Sequence, residues 1–233
     1  MSAQKLAIFD IDGTLTNTNA ADEHCFQKTV SSVFKIGKVS TDWSAYKHST
    51  DSGILYELIE RELKIKPAVE DLAHFKEFFV QACEEVRNQN PSAFFEIPGA
   101  SKLFPHLLGS AGWKVAIATG AWKPSALFKL AAGGIPFEDI PAAFAEDAFE
   151  RKMIVQTAQT RAKEVYGVSA FDKVVYVGDG TWDLKASREC AIGFIGIGSQ
   201  SKGEKLKAAG VKDIFFDYHD LPKFISALES VCS

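Results

Sequence analysis

Apolar residues along this chain fall into short continuous runs separated by stretches of helical spacing. The runs at 5–9, 113–118, 142–145, 173–177, 192–197 and 213–216 are too short for helices. Most lack alternation, as strands buried on both faces should. Between most of them, apolar residues recur every three to four positions, at 100–110, 124–132, 151–166, 182–190, 203–209 and 221–231. Strands and helices alternating in this way, joined by right-handed crossovers, predict an α/β fold with a doubly wound parallel sheet. From about residue 20 to residue 90 the alternation stops, and the segments 20–34, 53–63 and 69–90 all read as helices. The expected organisation is thus a core of 1–16 and 92–233 interrupted by an all-helical insert, 17–91.

Composition narrows the function classes. The 233 residues are 46% hydrophobic, enough to bury a full core, and 26 basic against 30 acidic residues leave a net charge of -4. No basic surface for nucleic acid or for an anionic membrane is expected, and a small diffusible substrate fits better. Cys25, Cys83, Cys190 and Cys232 lack CxxC spacing and read as reduced thiols of a cytoplasmic protein rather than as zinc ligands. The stretch MSAQKLAIFD enters a strand after one lysine, so no targeting segment is expected there. Oligomeric state has no signature in the sequence.

Ligands of an open α/β sheet bind at the carboxyl ends of its strands, so the residues that follow each strand carry the functional signal. The first strand gives Asp10, Asp12 and Thr14, the second Thr119 and Gly120, and the fourth Gly178, Asp179 and Asp183. Two carboxylates flanking one isoleucine at a buried strand end are costly unless something offsets their charge. Four carboxylates and a hydroxyl at one sheet edge, without histidine or cysteine, suit a hard cation such as Mg²⁺. Taken singly each piece has a simpler reading. Asp, Gly and Thr after a strand are ordinary turn residues, and an Asp early in a helix complements its dipole. The three pieces together, in order and each at a strand end, favour a site.

At these residues the chain resembles the haloacid dehalogenase superfamily, and within it the helically capped phosphatases of the phosphoglycolate phosphatase and β-phosphoglucomutase type. The resemblance rests on FDIDGTLT, IATG and VGDGTWD, residues 9–16, 117–120 and 177–183, and on the size and helical character of the insert. It implies a Rossmann-like core, a helical cap and a Mg²⁺-dependent phosphatase acting on a small phosphorylated metabolite. By resemblance, Asp10 is the nucleophile that forms an aspartyl-phosphate and Asp12 the acid and then base. The metal would be held by Asp10, the Asp12 backbone carbonyl and Asp179. Thr119 and Gly120 would bind the phosphoryl group together with a basic residue, Arg151 or Lys152, and Asp183 would orient that residue or metal waters. Helical phase favours Arg151, which aligns with Val155, Ala158 and Ala162, whereas Lys152 is rotated by about 100°. A dehalogenase would have no need of the acid at Asp12, so phosphoryl transfer is favoured.

The insert holds one unusual polar run, KHSTDSGI at 47–54. His48, Thr50 and Asp51 are expected to face the substrate, with the competing reading that Asp51 or Ser52 merely caps a helix. Trp122 and Trp182, beside the second and fourth motifs, either wall the cleft or pack in the core. A phosphomutase, a phosphonatase or a catalytically silent phosphate-binding or regulatory protein would carry much the same core. A phospho-receiver domain would need neither the insert nor the second aspartate.

Overall fold

The computed structural model describes residues 3–109 and 111–231, so the expected end of one helix at Ser110, and Cys232, lie outside the described residues. Six parallel strands form one sheet: β1 (Lys5–Phe9), β2 (Trp113–Ala118), β3 (Ala142–Ala143), β4 (Lys173–Gly178), β5 (Gly193–Ile197) and β6 (Ile214–Phe215). Their order is β3-β2-β1-β4-β5-β6. The order reverses at β1, whose neighbours are β2 and β4, and this opens the crevice where such sheets bind ligands. Register sets the level of the site. Phe9 pairs with both Ile117 and Val177, so Asp10, Thr119 and Asp179 leave the sheet together.

Alternate residues of each strand feed two cores. Ala7, Phe9, Val115, Ile117, Val175 and Val177 pack under α4 (Ala100–Gly109), α5 (Lys123–Ala132) and α9 (Leu221–Ser230). Leu6, Ile8, Ala116, Ala118 and Tyr176 face α6 (Arg151–Tyr166), α7 (Thr181–Glu189) and α8 (Gln200–Ala208). Burial on both faces explains why these strands read as unbroken apolar runs.

Between β1 and β2 run α1 (Asn19–Phe34), α2 (Asp51–Leu63) and α3 (Val69–Gln89), with no strand among the described residues of that interval. They enclose a third apolar cluster of their own, centred on Phe26, Leu55, Leu58, Phe75 and Phe79, which continues onto Trp122 and Ala145 from the loops beyond β2 and β3. The two chain crossings into and out of these helices lie side by side. Asn17 donates its amide to Phe95 O (2.8 Å) and Ile97 donates to Leu15 O (2.8 Å). No helix among the described residues is long and apolar enough to cross a membrane.

Several element boundaries depart from the sequence pattern. β3 spans two residues, not four, because Phe144 turns its amide to the Asp147 carboxylate (2.9 Å) and Ala145 bonds back to Ala121 O (2.9 Å). β6 is likewise two residues, an edge strand that ends before the exposed Phe216. Helix α8 begins at Gln200, with Gly203 inside it rather than at its start.

Candidate functional site

The end of β1 is held by the Asp10 amide donating to Val177 O (3.0 Å), after which the chain wraps into a tight turn. The amides of Thr14, Leu15 and Thr16 all converge on Ile11 O, within 3.1 Å. Gly13 adopts φ +77°, and a Cβ there would collide with the Asp179 carboxylate. Glycine is thus required twice over, for the left-handed backbone and for the close approach of β1's turn to the loop after β4. Gly120 is needed for space alone, since a Cβ would sit 2.7 Å from Arg151 Nη2 and 2.9 Å from Ser49 O.

These loops and the helical insert enclose a cavity of about 90 Å³. Its sheet-side wall is Asp10, Asp12, Thr119, Gly120, Arg151 and Asp179, and its insert-side wall includes Asp22, Phe26, Trp43, Ser49, Thr50 and Asp51. Asp10 is 3% exposed and Thr119 1% exposed, so both act from a largely desolvated position. Arg151, the first residue of α6, donates from Nη1 to Asp10 Oδ1 (3.1 Å) and from Nη2 to Ser49 O (3.1 Å). Its Nε is buried without a hydrogen-bond partner, 3.6 Å from Asp183 Oδ1. Asp183 is itself fixed by the Tyr176 hydroxyl (2.9 Å) and the Gly180 amide (3.0 Å).

Asp12 has a different set of partners from Asp10. Its carboxylate accepts from Thr18 Oγ1 (2.5 Å) and from Lys129 Nζ (2.6 Å), and the same ammonium donates to Asp22 of α1 (2.7 Å). Lys129 is fully buried on α5. Thr18 occupies the N-cap position of α1 yet makes no cap hydrogen bond, its hydroxyl being committed to Asp12 and Thr16 instead. A cap of that kind ordinarily contributes about 1 kcal/mol, so the helix forgoes stability to fix this carboxylate.

Burial governs the proton affinities. It raises Asp10 to about 6 against the pull of Arg151, and Asp179 to about 6 against that of Lys202. Asp183 is raised to about 7, again by burial opposed by Arg151. Burial would lower Arg151 and Lys129, but the surrounding carboxylates outweigh it and hold both well charged: chiefly Asp183 for Arg151, and Asp12 with Asp22 for Lys129. Carboxylates lifted in this way favour a cation. Oxygens of Asp10, Asp179 and Asp183 lie within 4.8 Å of one another, an all-oxygen donor set that suits Mg²⁺. The ammonium of Lys202 already contacts Asp179, as expected where negative charge is incompletely offset.

The structure brings Asp10, Asp12, Thr119, Gly120, Arg151, Asp179, Thr50 and Asp51 to one cavity, with Asp183 just behind it. His48 and Lys152 instead line a neighbouring cavity of about 370 Å³ with Lys47 and Lys185. The reason for Lys152 is its helical phase. His48 is drawn away by the Phe149 ring, 6.0 Å between centroids. The cap of α2 is Thr50, which accepts from the Gly53 amide (3.2 Å), rather than Asp51 or Ser52. Those two instead take the Trp122 amide (3.1 Å) and indole N–H (2.8 Å), and Trp122 packs inside the insert's cluster while Trp182 walls the cavity. Sequence reasoning missed Lys129 and Asp22. The lysine in phase with Ser125 and Ala126 on the buried side of KPSALFKLAA was the available signal for the first; Asp22 reads as an ordinary first-turn acid.

A family model for haloacid dehalogenase-like hydrolases matches residues 7–197. Among solved structures, a hydrolase from Pseudomonas syringae is 23% identical, with a TM-score of 0.71 over 96% of this chain and 98% of that one. CbbY from Rhodobacter sphaeroides in complex with phosphate is 17% identical (TM-score 0.69, covering 94% and 96%). A provisionally named β-phosphoglucomutase from Bacteroides vulgatus is 19% identical (TM-score 0.65, covering 98% and 90%). At such identities the structures speak for the fold. No curated protein sequence matches the chain. With the family model spanning most of the chain and all three strand-end motifs in register, this chain belongs to the haloacid dehalogenase-like hydrolase family.

Proposed function

We propose that the protein is a Mg²⁺-dependent phosphatase of a small phosphorylated metabolite, acting in the cytoplasm, with helices 17–91 serving as a cap over a core of 1–16 and 92–233. The observation that carries this reading is the Arg151 guanidinium, which spans Asp10 and the Ser49 carbonyl across the cavity. A phosphoryl group placed there would meet a carboxylate nucleophile, a planar cation and the Thr119 hydroxyl together.

In this reading an Asp10 oxygen attacks phosphorus as the ester P–O bond breaks, and Asp12 gives its proton to the departing alkoxide. Asp12 then takes a proton from water, whose oxygen attacks the aspartyl-phosphate and releases inorganic phosphate and the free Asp10 carboxylate. Thr119, Gly120 and Arg151 hold the phosphoryl oxygens, and Asp183 keeps Arg151 in place. Asp10, Asp179 and the Asp12 carbonyl would hold Mg²⁺, which when bound offsets the repulsion between anionic nucleophile and anionic phosphate. The aspartyl-phosphate also suits a mutase, but no feature of the cavity favours that outcome over transfer to water.

Release of p-nitrophenol from p-nitrophenyl phosphate, with and without Mg²⁺, tests the reading. Asp10→Asn preserves shape and should lower turnover by on the order of a thousandfold or more. Arg151→Ala should lose about a hundredfold, while Lys152→Ala stays within a few-fold of wild type. Near-normal turnover in Asp10→Asn would sink the mechanism.

A further inference from the structure

Both ends of the central cavity carry more carboxylate than cation; on the sheet side Asp10, Asp12 and Asp179 surround a single guanidinium. At the sheet end Arg151 is committed to Asp10 and Ser49. At the insert end stand two carboxylates, Asp22 and Asp51, flanked by Phe26, Trp43, Ser49 and Thr50. The nearby cation, Lys129, is buried behind this wall and does not line the cavity, and its ammonium is shared between Asp12 and Asp22. Each wall carboxylate has one oxygen engaged: Asp22 Oδ1 by Lys129, and Asp51 Oδ2 by the Trp122 amide at 3.1 Å. The second oxygen of each has no donor among the described residues. Thr50 offers little compensation, since its hydroxyl donates to Phe149 O (3.0 Å) while accepting from Gly53.

From this geometry we infer that the substrate's alcohol part is a small group bearing an ammonium donor and no second anion, an amino-alcohol phosphate. The inference rests on the phosphatase reading and names the substrate class of that same site. Among the described residues Lys129 is the one ammonium paired with this acidic group, bonded to Asp12 and Asp22, and a substrate ammonium at the free oxygens of Asp22 and Asp51 offsets charge that it leaves uncompensated. A carboxylate or second phosphate at that end would meet the like charge of Asp22 and Asp51. Such an anion would have to reach past Trp43 and Trp182 to Lys202 and Lys205, which line a separate cavity of about 750 Å³. The small volume of the central cavity, about 90 Å³, argues for a short alcohol. Burial raises both wall carboxylates, with Lys129 opposing it at Asp22 and the Asp22 charge adding to it at Asp51, as for groups awaiting a cation.

The test compares 2-aminoethyl, 2-hydroxyethyl and carboxymethyl phosphate, three esters that differ in the terminal group, by phosphate release with Mg²⁺ present. The expected order of kcat/KM is amine, then hydroxyl, then carboxylate, with amine over carboxylate by about tenfold or more. Asp22→Asn and Asp51→Asn should each reduce the amine-to-carboxylate ratio several-fold. That ratio is independent of how much of a variant is folded, and its change from wild type to variant is independent of the esters' intrinsic reactivity. A carboxymethyl preference in the wild type, or a ratio unmoved by both variants, overturns the inference while leaving the phosphatase reading intact. If no ester is hydrolysed, calorimetric binding of the three to wild-type protein still ranks them. Amine-selective binding without phosphate release would sink the phosphatase reading alone. A carboxylate preference there, or no binding of any of the three, would overturn the inference.

Discussion

Lys129 shows how one residue links the chemistry to the fold. Its ammonium is fully buried and holds Asp12, the proposed proton carrier, and Asp22, from the first helix of the insert. Replacing it with methionine would keep much of the volume and leave two carboxylates facing each other without a cation. Removing one member of such a buried set costs about 3–5 kcal/mol, or roughly 6–20 °C of Tm in a protein of this size. Adding Asp22→Asn to Lys129→Met should recover part of that loss by removing one of the stranded charges. A Lys129→Met protein that melts within a degree or two of wild type would mean that the carboxylates are solvated and the pair contributes nothing. The same substitution should impair turnover beyond its effect on stability, because Asp12 loses the contact that orients it.

At the scale of elements, the insert is fastened to the sheet by a residue from the sheet's own loop. Trp122, just before α5, is 1% exposed and sits against Phe26, Phe75 and Phe79, with centroids 6.3, 5.5 and 5.8 Å away. Its backbone and indole N–H groups reach Asp51 and Ser52 at the start of α2. Trp122→Ala should cost about 3–5 kcal/mol by emptying this socket. Trp122→Phe keeps most of the packing and loses one hydrogen bond, at about 1 kcal/mol. Urea midpoints of the two variants check the ranking; equal losses would mean that the indole N–H, rather than packing, fastens the insert. The two chain crossings are paired backbone to backbone, Asn17 to Phe95 and Ile97 to Leu15, which suits the proposed cap pivoting on a narrow ribbon.

Over the whole molecule, the balance between carboxylates and cations sets a dependence on pH and metal. Asp10 and Asp179 at about 6, and Asp183 at about 7, all lie above their ordinary value because they are buried. The folded state therefore binds protons more tightly than the unfolded chain, and these three groups stabilise it less as pH rises from about 4 to about 7. A divalent cation taken up by the Asp10 and Asp179 carboxylates should reverse this for those two groups. Mg²⁺ should raise Tm more at pH 8 than at pH 5, where protons compete for the ligands. Equal shifts at the two values, measured by calorimetry, would place the bound metal elsewhere. Much of this molecule was legible in the sequence for a physical reason: strands buried on both faces must be apolar throughout, and a site at strand ends must follow them immediately. Asp10, Thr119 and Asp179 could thus be placed from local pattern alone, and the phase of α6 brought Arg151 inward. Lys129, Asp22 and Trp122 could not be assigned this way. Their roles depend on which helix faces which loop once the insert folds back, a relation between residues about a hundred positions apart. Local periodicity marks a side chain as buried, but only the tertiary structure decides which charge or ring it is buried against.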